Sequence, residues 1–305
     1  LEADHDVIIL DDLSLGVELN IHSDAQFIFG STLDNEALKV CFRDQVDAVI
    51  HLAGFKAAGE SMTDPEKYSK NNISGTINLL NAMTDHGVHT FVFSSSAAVY
   101  GYPEYLPIDE DHPTDPINYY GFTKLVIESF LEWYGKLRGL KYVSLRYFNA
   151  AGYDPKGRIL GLEENPANLL SIAMEVASGA RDKMEVFGDD YDTPDGTGVR
   201  DYIHVSDLAS AHVKALDYLQ SGDSIMVNLA TGEGYSVLDV IEKAREITGH
   251  PIPYEITVRR EGDPAKLIAT SESAGELLDW EPKLSDLESL LKTTWRVYSA
   301  KKEIN

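Results

Sequence analysis

Short apolar runs alternate with longer stretches of helical periodicity through the first half of the chain. Residues 7–10 (Val-Ile-Ile-Leu) are apolar and β-branched and run into Asp11 and Asp12. Residues 47–52 (Asp-Ala-Val-Ile-His-Leu), 90–94 (Thr-Phe-Val-Phe-Ser) and 142–148 repeat the pattern. Runs that are apolar on both faces predict buried parallel strands. Between them, 33–42, 72–84 and 119–137 carry helical patterns. This alternation predicts right-handed βαβ units and an α/β fold with a doubly wound parallel sheet. Past about Gly152 the texture changes. Loops rich in Gly, Pro and Asp occupy 153–161 and 188–198, and helical patterns follow at 167–178, 205–219, 236–248 and 284–300. We expect a first domain over 1–150, to which part of 197–230 returns, and a smaller α/β domain formed mainly by 151–305. No internal repeat, low-complexity tract or linker intervenes, so the two regions are expected to pack together.

The chain opens unusually for such a sheet. A dinucleotide-binding sheet starts with a strand, a Gly-rich turn and a helix. Here the first strand ends in Asp11, in the manner of the acidic terminus of a second strand, and Leu1-Glu2-Ala3 reads as the tail of a first helix. A fragment lacking the preceding ~20 residues is the expectation.

Composition narrows the partners. With 43% apolar and 25% charged residues, the chain resembles ordinary soluble proteins, and 305 residues suffice to bury ~75% of the unfolded surface. A single cysteine, Cys41, excludes an intramolecular disulfide framework and a multi-cysteine metal site. It fits a reducing, cytoplasmic compartment. No apolar run approaches the ~20 residues of a membrane span, and the first six residues lack the pattern of a signal peptide. Fifty acidic against 26 basic residues give a net charge of −24. That field repels nucleic acid and anionic membranes. It also repels an anionic small substrate unless a few arginines hold it.

Tyr120 and Lys124 form a Tyr-x-x-x-Lys pair on one face of a predicted helix. An ammonium beside a phenol favours the phenolate, and a phenolate tuned toward neutrality serves as a general base on a sugar hydroxyl. Tyr298 and Lys302 repeat the spacing near the C-terminus without such surroundings, and are read as surface residues. Ser94, Ser95 and Ser96 close the third strand, where a ligand crevice lies in parallel sheets. A hydroxyl there either shares a proton with substrate or Tyr120, or caps a turn. Asn149, Gly152, Asn168 and Phe187, followed by Arg200, Asp201 and Tyr202, suit a nucleotide. Arg200 and Arg260 offer planar forks for phosphate oxygens, and Asp263 is a carboxylate for a ribose; surface salt bridges are the plainer reading of the same residues. Asp11 suits the two hydroxyls of an adenosine ribose and disfavours a 2′-phosphate, pointing to NAD rather than NADP. His51, His204 and His212 show no metal-ligand spacing; His51 is read as a strand residue and His204 as structural.

Together these blocks resemble the extended short-chain dehydrogenase/reductase superfamily, and within it the UDP-glucose 4-epimerase family. The resemblance covers nearly the whole chain: residues 7–14, 49–61, 71–76, 94–101, 120–124, 145–149 and, most specifically, 187–205. It implies reversible 4-epimerisation of UDP-galactose and UDP-glucose through a 4-keto sugar, with tightly bound NAD. By resemblance Tyr120 is the base, Lys124 its partner and Ser96 the assisting hydroxyl. Asp11, Asp12, Lys56, Asn71, Tyr120, Lys124 and Tyr147 contact the cofactor. Ser96, Asn149, Asn168, Phe187, Arg200, Tyr202, Arg260 and Asp263 contact the UDP-sugar. The family also implies a homodimer built on a helix bundle, for which apolar faces around 79–83 and 127–131 are available unless they are core. Ser31 stands where the family usually has an aspartate near the adenine. Leu267 stands where side-chain size bears on N-acetylated sugars, so an N-acetylhexosamine, glucuronate or xylose variant of the substrate stays open. A related 4,6-dehydratase needs Asp-Glu after the strand-end hydroxyl; Ala97 and Ala98 stand there instead. A reading from another class, a non-catalytic UDP-sugar-binding relative, rests on the missing turn alone.

Overall fold

A computed structural model describes residues 1–164, 166–260 and 262–304. The chain separates into two compact units. The first gathers residues 1–101, 113–146 and 212–227, and the second gathers 102–112, 147–211 and 228–305.

In the first unit, strand Ile8–Asp11 pairs in parallel with Gln26–Phe29, placing Asp11 opposite Phe29. A second sheet orders its strands as Ile225–Leu229, Lys141–Tyr147, Thr90–Ser94 and Val49–His51. The last three run parallel, as the apolar runs predict. Phe91, Val92 and Phe93 are all buried although successive side chains leave opposite faces, so both faces of this strand are covered. Phe91 and Phe93 pack with Leu38 and Cys41 of helix Asn35–Cys41, with Leu79, Leu80 and Met83 of helix Gly75–Asp85, and with Ile127 and Leu131 of helix Tyr119–Arg138. The apolar faces at 79–83 and 127–131 are therefore core within one chain, not free for a second copy.

Two features depart from the expected pattern. Strand Gln26–Phe29 is not among the expected elements, because its apolar run, Phe27-Ile28-Phe29, is too short to mark a strand by itself. The helix expected over 72–84 begins only at Gly75, after a wide π turn over Ser69–Ser74. Asn72 in that turn accepts from Phe55 N and donates to Phe55 O, both at 2.9 Å. The widened turn accompanies this cross-link to the loop after Val49–His51, a common use of such local widening.

The second unit centres on strand Met184–Phe187, which pairs in parallel with Tyr254–Thr257. Helices Leu169–Ser178, Val237–Thr248 and Leu287–Ile304 pack Leu170, Met174, Val240, Ile241, Leu290 and Tyr298 into one core with Met184 and Val186. Local signals bound two of these helices. Asn168 caps the first and Gly179, at φ 82°, ends it. Ser236 and Asp239 form a reciprocal capping box on the next, which closes at Gly249. Tyr298 is a correction: it was expected at the surface, but helical spacing from Leu291 and Leu290 turns it into the core. The side chain of Lys302 lies outside the described residues.

Candidate active site

The first unit assembles the residues expected to move protons. Asn118 caps helix Tyr119–Arg138 by accepting from Gly121 N at 2.9 Å. The buried Ser61 hydroxyl accepts from Tyr120 N at 3.0 Å. Two N–H groups that a helix start leaves unpaired are thereby satisfied, and Tyr120 is fixed in the first turn. Lys124 follows one turn later. Its Nζ donates to the Ser94 carbonyl at 2.8 Å and lies 4.8 Å from the centre of the Phe93 ring and 5.8 Å from that of Tyr120. Burial lowers the lysine to about 8, against the opposing pull of the Glu128 carboxylate.

Buried His51 stacks on Phe93 and is lowered to about 3, first by burial and then by the Lys124 charge. Its imidazole is therefore neutral near pH 7. Thr76 donates its hydroxyl proton to Asn72 O at 2.6 Å, so the 2.8 Å bond between Thr76 and His51 is donated by Nε2–H of the ring.

The three serines divide. Ser94 pairs its hydroxyl with His212 Nε2 at 2.8 Å, and Ser95 donates to Glu128 Oε1 at 2.6 Å; both are buried. Ser96 alone is half-buried, and its hydroxyl accepts from Ala98 N at 3.1 Å. Ser96 thus caps the turn Ala97–Val99 while its own proton is not used in that bond. Gly121 allows this turn to lie against the helix start: a Cβ there would collide with the Ala98 carbonyl.

Among the expected cofactor residues, Asp11 ends its strand half-buried and accepts from Leu13 N at 2.7 Å, while Asp12 accepts from Ser14 N at 2.9 Å. Lys56 is exposed on the loop that Asn72 ties down. Asn71 turns back to donate to Lys67 O at 2.8 Å. Ser31 accepts from Leu33 N at 3.3 Å, a turn contact.

The second unit carries the nucleotide candidates. Tyr147 is half-buried at its strand end. Asn149 donates from both its backbone N and Nδ2 to Asp201 O, at 3.2 and 2.8 Å. Asn168 donates to Ala150 O at 2.7 Å while capping its helix. Arg200 Nη2 pairs with Asp263 Oδ1 at 2.5 Å. The exposed Arg260 guanidinium lies 3.8 Å from the centre of the Phe187 ring. Glu261, which follows Arg260, lies outside the described residues. The 188–198 loop is held by Arg259, which stacks 4.1 Å from the Tyr191 ring centre and pairs with Asp190. It turns tightly at Gly196, where φ is 79° and a Cβ would strike the Asp189 carbonyl. Tyr202 packs its ring into the second core, and burial raises its hydroxyl above the usual tyrosine range.

Asp201, which the sequence groups with residues suited to a nucleotide, is instead committed to the fold. Asp201, fully buried, accepts from Thr231 N at 3.0 Å, Thr231 Oγ1 at 2.8 Å and Gly232 N at 3.2 Å. Its own N donates to Leu267 O at 3.1 Å. Burial pushes its carboxyl up to about 6 although these donors pull it down. Glu128 is the residue that the sequence reading misses; its place one turn beyond Lys124, on the Tyr120 face, is the available signal. Among the described residues, no cluster of His, Cys, Asp or Glu suits a metal ion.

The chain is similar in sequence to the UDP-glucose 4-epimerase of Halalkalibacterium halodurans, at 48% identity over 298 residues spanning 97% of this chain and 89% of that relative. It is similar in structure to the UDP-glucose 4-epimerase from Brucella ovis in complex with NAD, with a TM-score of 0.94 at 40% identity, covering 97% of this chain and 92% of that one. The UDP-glucose 4-epimerase from Bifidobacterium longum, in complex with NAD+ and UDP, gives 0.92 at 38% identity and covers 98% and 92%. Residues 1–230, which carry Asp11, the serine strand end, the Tyr120–Lys124 helix and Arg200, match one family throughout, and the chain belongs to the NAD dependent epimerase/dehydratase family.

Proposed function

We propose that the chain interconverts UDP-galactose and UDP-glucose by 4-epimerisation, with NAD as its cofactor. The observation that carries this reading is the Tyr120–Lys124 pair anchored at the Ser94–Ser96 strand end. The residues present fit NAD. Asp11 puts a half-buried carboxylate at the end of a parallel strand, where a ribose with two free hydroxyls is favoured and a 2′-phosphate is repelled. Lys124 and Tyr120 would hold its nicotinamide ribose, and Asp12, Lys56, Asn71 and Tyr147 its remaining contacts.

Bound NAD supplies the reversible redox chemistry at sugar C4. The protein's part is proton transfer and grip. Tyr120, as phenolate, takes the proton from the sugar 4-hydroxyl and later returns it. The Lys124 ammonium stabilises that phenolate, and Ser96 offers its hydroxyl to the same sugar oxygen. Arg200 and Arg260 hold the diphosphate while the 4-keto sugar turns, with Asp263 on the uridine ribose, Asn149 and Asn168 alongside, and the Phe187 ring against the nucleotide; Tyr202, buried in the second core, is not among these contacts. Two arginines so placed answer the repulsion of a chain with net charge −24.

The test is direct. The purified chain is incubated with UDP-galactose and NAD, and UDP-glucose is quantified by chromatography. Conversion is expected, together with NAD released on denaturation. No conversion by a folded, NAD-loaded protein would overturn the reading.

The assembly we infer is a homodimer in the cytoplasm. Phe122, Trp133 and Leu137 are exposed along one stripe of helix Tyr119–Arg138, supporting helix pairing. The buried lone Cys41 fits a reducing compartment. Light scattering at twice the chain mass is the expected result, and a monomer would overturn the pairing.

A further inference from the structure

A buried ion pair lies directly behind the proton-transfer residues. Arg146, on strand Lys141–Tyr147, holds the Glu128 carboxylate with two hydrogen bonds, Nε to Oε1 at 2.9 Å and Nη2 to Oε2 at 2.6 Å. Both side chains are at most 5% exposed. Ser95 adds its hydroxyl to Oε1 at 2.6 Å, and Arg146 Nη1 reaches the buried Tyr100 hydroxyl at 3.1 Å. Four buried polar side chains from the strand end, the turn after it, the helix and the neighbouring strand are thus joined. Burying such a pair gains little stability by itself, since desolvation offsets the attraction. Its geometry is what sets it apart. Ser95 and Tyr100 bracket the Ala97–Val99 turn that Ser96 caps, and Glu128 lies one helical turn beyond Lys124.

We propose that Glu128 is a positioning residue for proton transfer: held by Arg146, it fixes the segment bearing Ser96 through Ser95 and presents its negative charge to Lys124. This rests on the epimerase reading for its catalytic consequence, but not for its electrostatic one. The groups facing Lys124 can be named element by element. Glu128 and Tyr120 come from its own helix, neutral His51 from strand Val49–His51, and the Ser94 carbonyl from strand Thr90–Ser94, with His212 behind it on the Ser94 hydroxyl. Glu128 is the one anion in that set, so its loss destabilises the ammonium.

The test compares Glu128→Gln with wild type in kcat, KM and the Lys124 Nζ titration, followed by 15N NMR on the cofactor-free chain. Glu128→Gln should lower kcat by ~10²-fold with KM for UDP-galactose unchanged. Both the alkaline limb of kcat and the Nζ titration should move down by about one pH unit. Because Glu128→Gln strands the Arg146 guanidinium, a second variant, Glu128→Met with Arg146→Leu, removes both charges. It is expected to recover the thermal midpoint but not kcat. Wild-type kcat in that double variant, or an unmoved Nζ titration in Glu128→Gln, would overturn the proposal. If the wild-type chain failed to convert UDP-galactose, the epimerase reading would fall and the NMR titration would still decide whether Glu128 governs Lys124.

Discussion

The roles proposed for Tyr120 and Arg260 are proton transfer and phosphate binding, and the environments of the two residues predict separable losses. Tyr120 occupies the first turn of a helix whose start is fixed by Asn118 and Ser61. Removing its hydroxyl leaves those backbone bonds intact. Tyr120→Phe should therefore cost ~10²–10⁴ in turnover, the span of general acid–base catalysis, with UDP affinity by calorimetry unchanged. Near-normal turnover would remove Tyr120 from the reaction. Arg260 is exposed and stacked on Phe187, so Arg260→Ala removes the proposed phosphate ligand and no core contact. UDP affinity should fall ~10-fold, about 1.4 kcal/mol, while the thermal midpoint stays where it was. A shifted midpoint with intact affinity would make Arg260 structural.

At the scale of elements, glycine decides how closely helix Tyr119–Arg138 meets the Ala97–Val99 turn. Gly121 lies where the helix start touches the Ala98 carbonyl and Pro116. Its backbone is helical, so close approach, not a special φ, demands the missing Cβ. Gly121→Ala should push the helix start off the Ala97–Val99 turn, cost ~1–3 kcal/mol in urea unfolding, and lower kcat because Tyr120 and Ser96 part. Wild-type stability and turnover in this variant would show that the contact yields freely. The sequence reveals the elements that carry strong periodicity: helix Tyr119–Arg138 and strand Thr90–Ser94 fall within a residue of their expected ends. It does not reveal Gln26–Phe29, whose apolar run Phe27-Ile28-Phe29 is too short to mark a strand by itself, nor the π turn at Ser69–Ser74, which depends on Asn72 meeting a loop distant in sequence. The Tyr120–Lys124 spacing is local and visible. The joining of Arg200 to Asp263, or of Glu128 to Arg146 and Ser95, is tertiary and becomes visible only when the strands are placed.

For the molecule as a whole, two buried titratable groups pull stability in opposite directions on acidification. His51 has a folded pKa of about 3 against an ordinary 6.5. Between those values the unfolded chain binds the extra proton and the folded chain does not, so stability is lost as pH falls below about 6.5. Asp201 has a folded pKa of about 6 against 3.8. Between those values the folded chain binds the proton, and its contribution rises as pH falls. The two overlap, so the wild-type pH profile alone does not resolve either. Comparison with His51→Gln does, because Asp201 is common to both proteins and the glutamine amide retains a donor for Thr76. Between pH 7 and pH 4.5 the wild type should lose roughly 3 kcal/mol more than His51→Gln in urea unfolding, two pH units at about 1.4 kcal/mol each. Equal losses would mean that the imidazole takes up its proton within the folded chain, and that the Lys124 charge and the surrounding apolar rings do not keep it neutral.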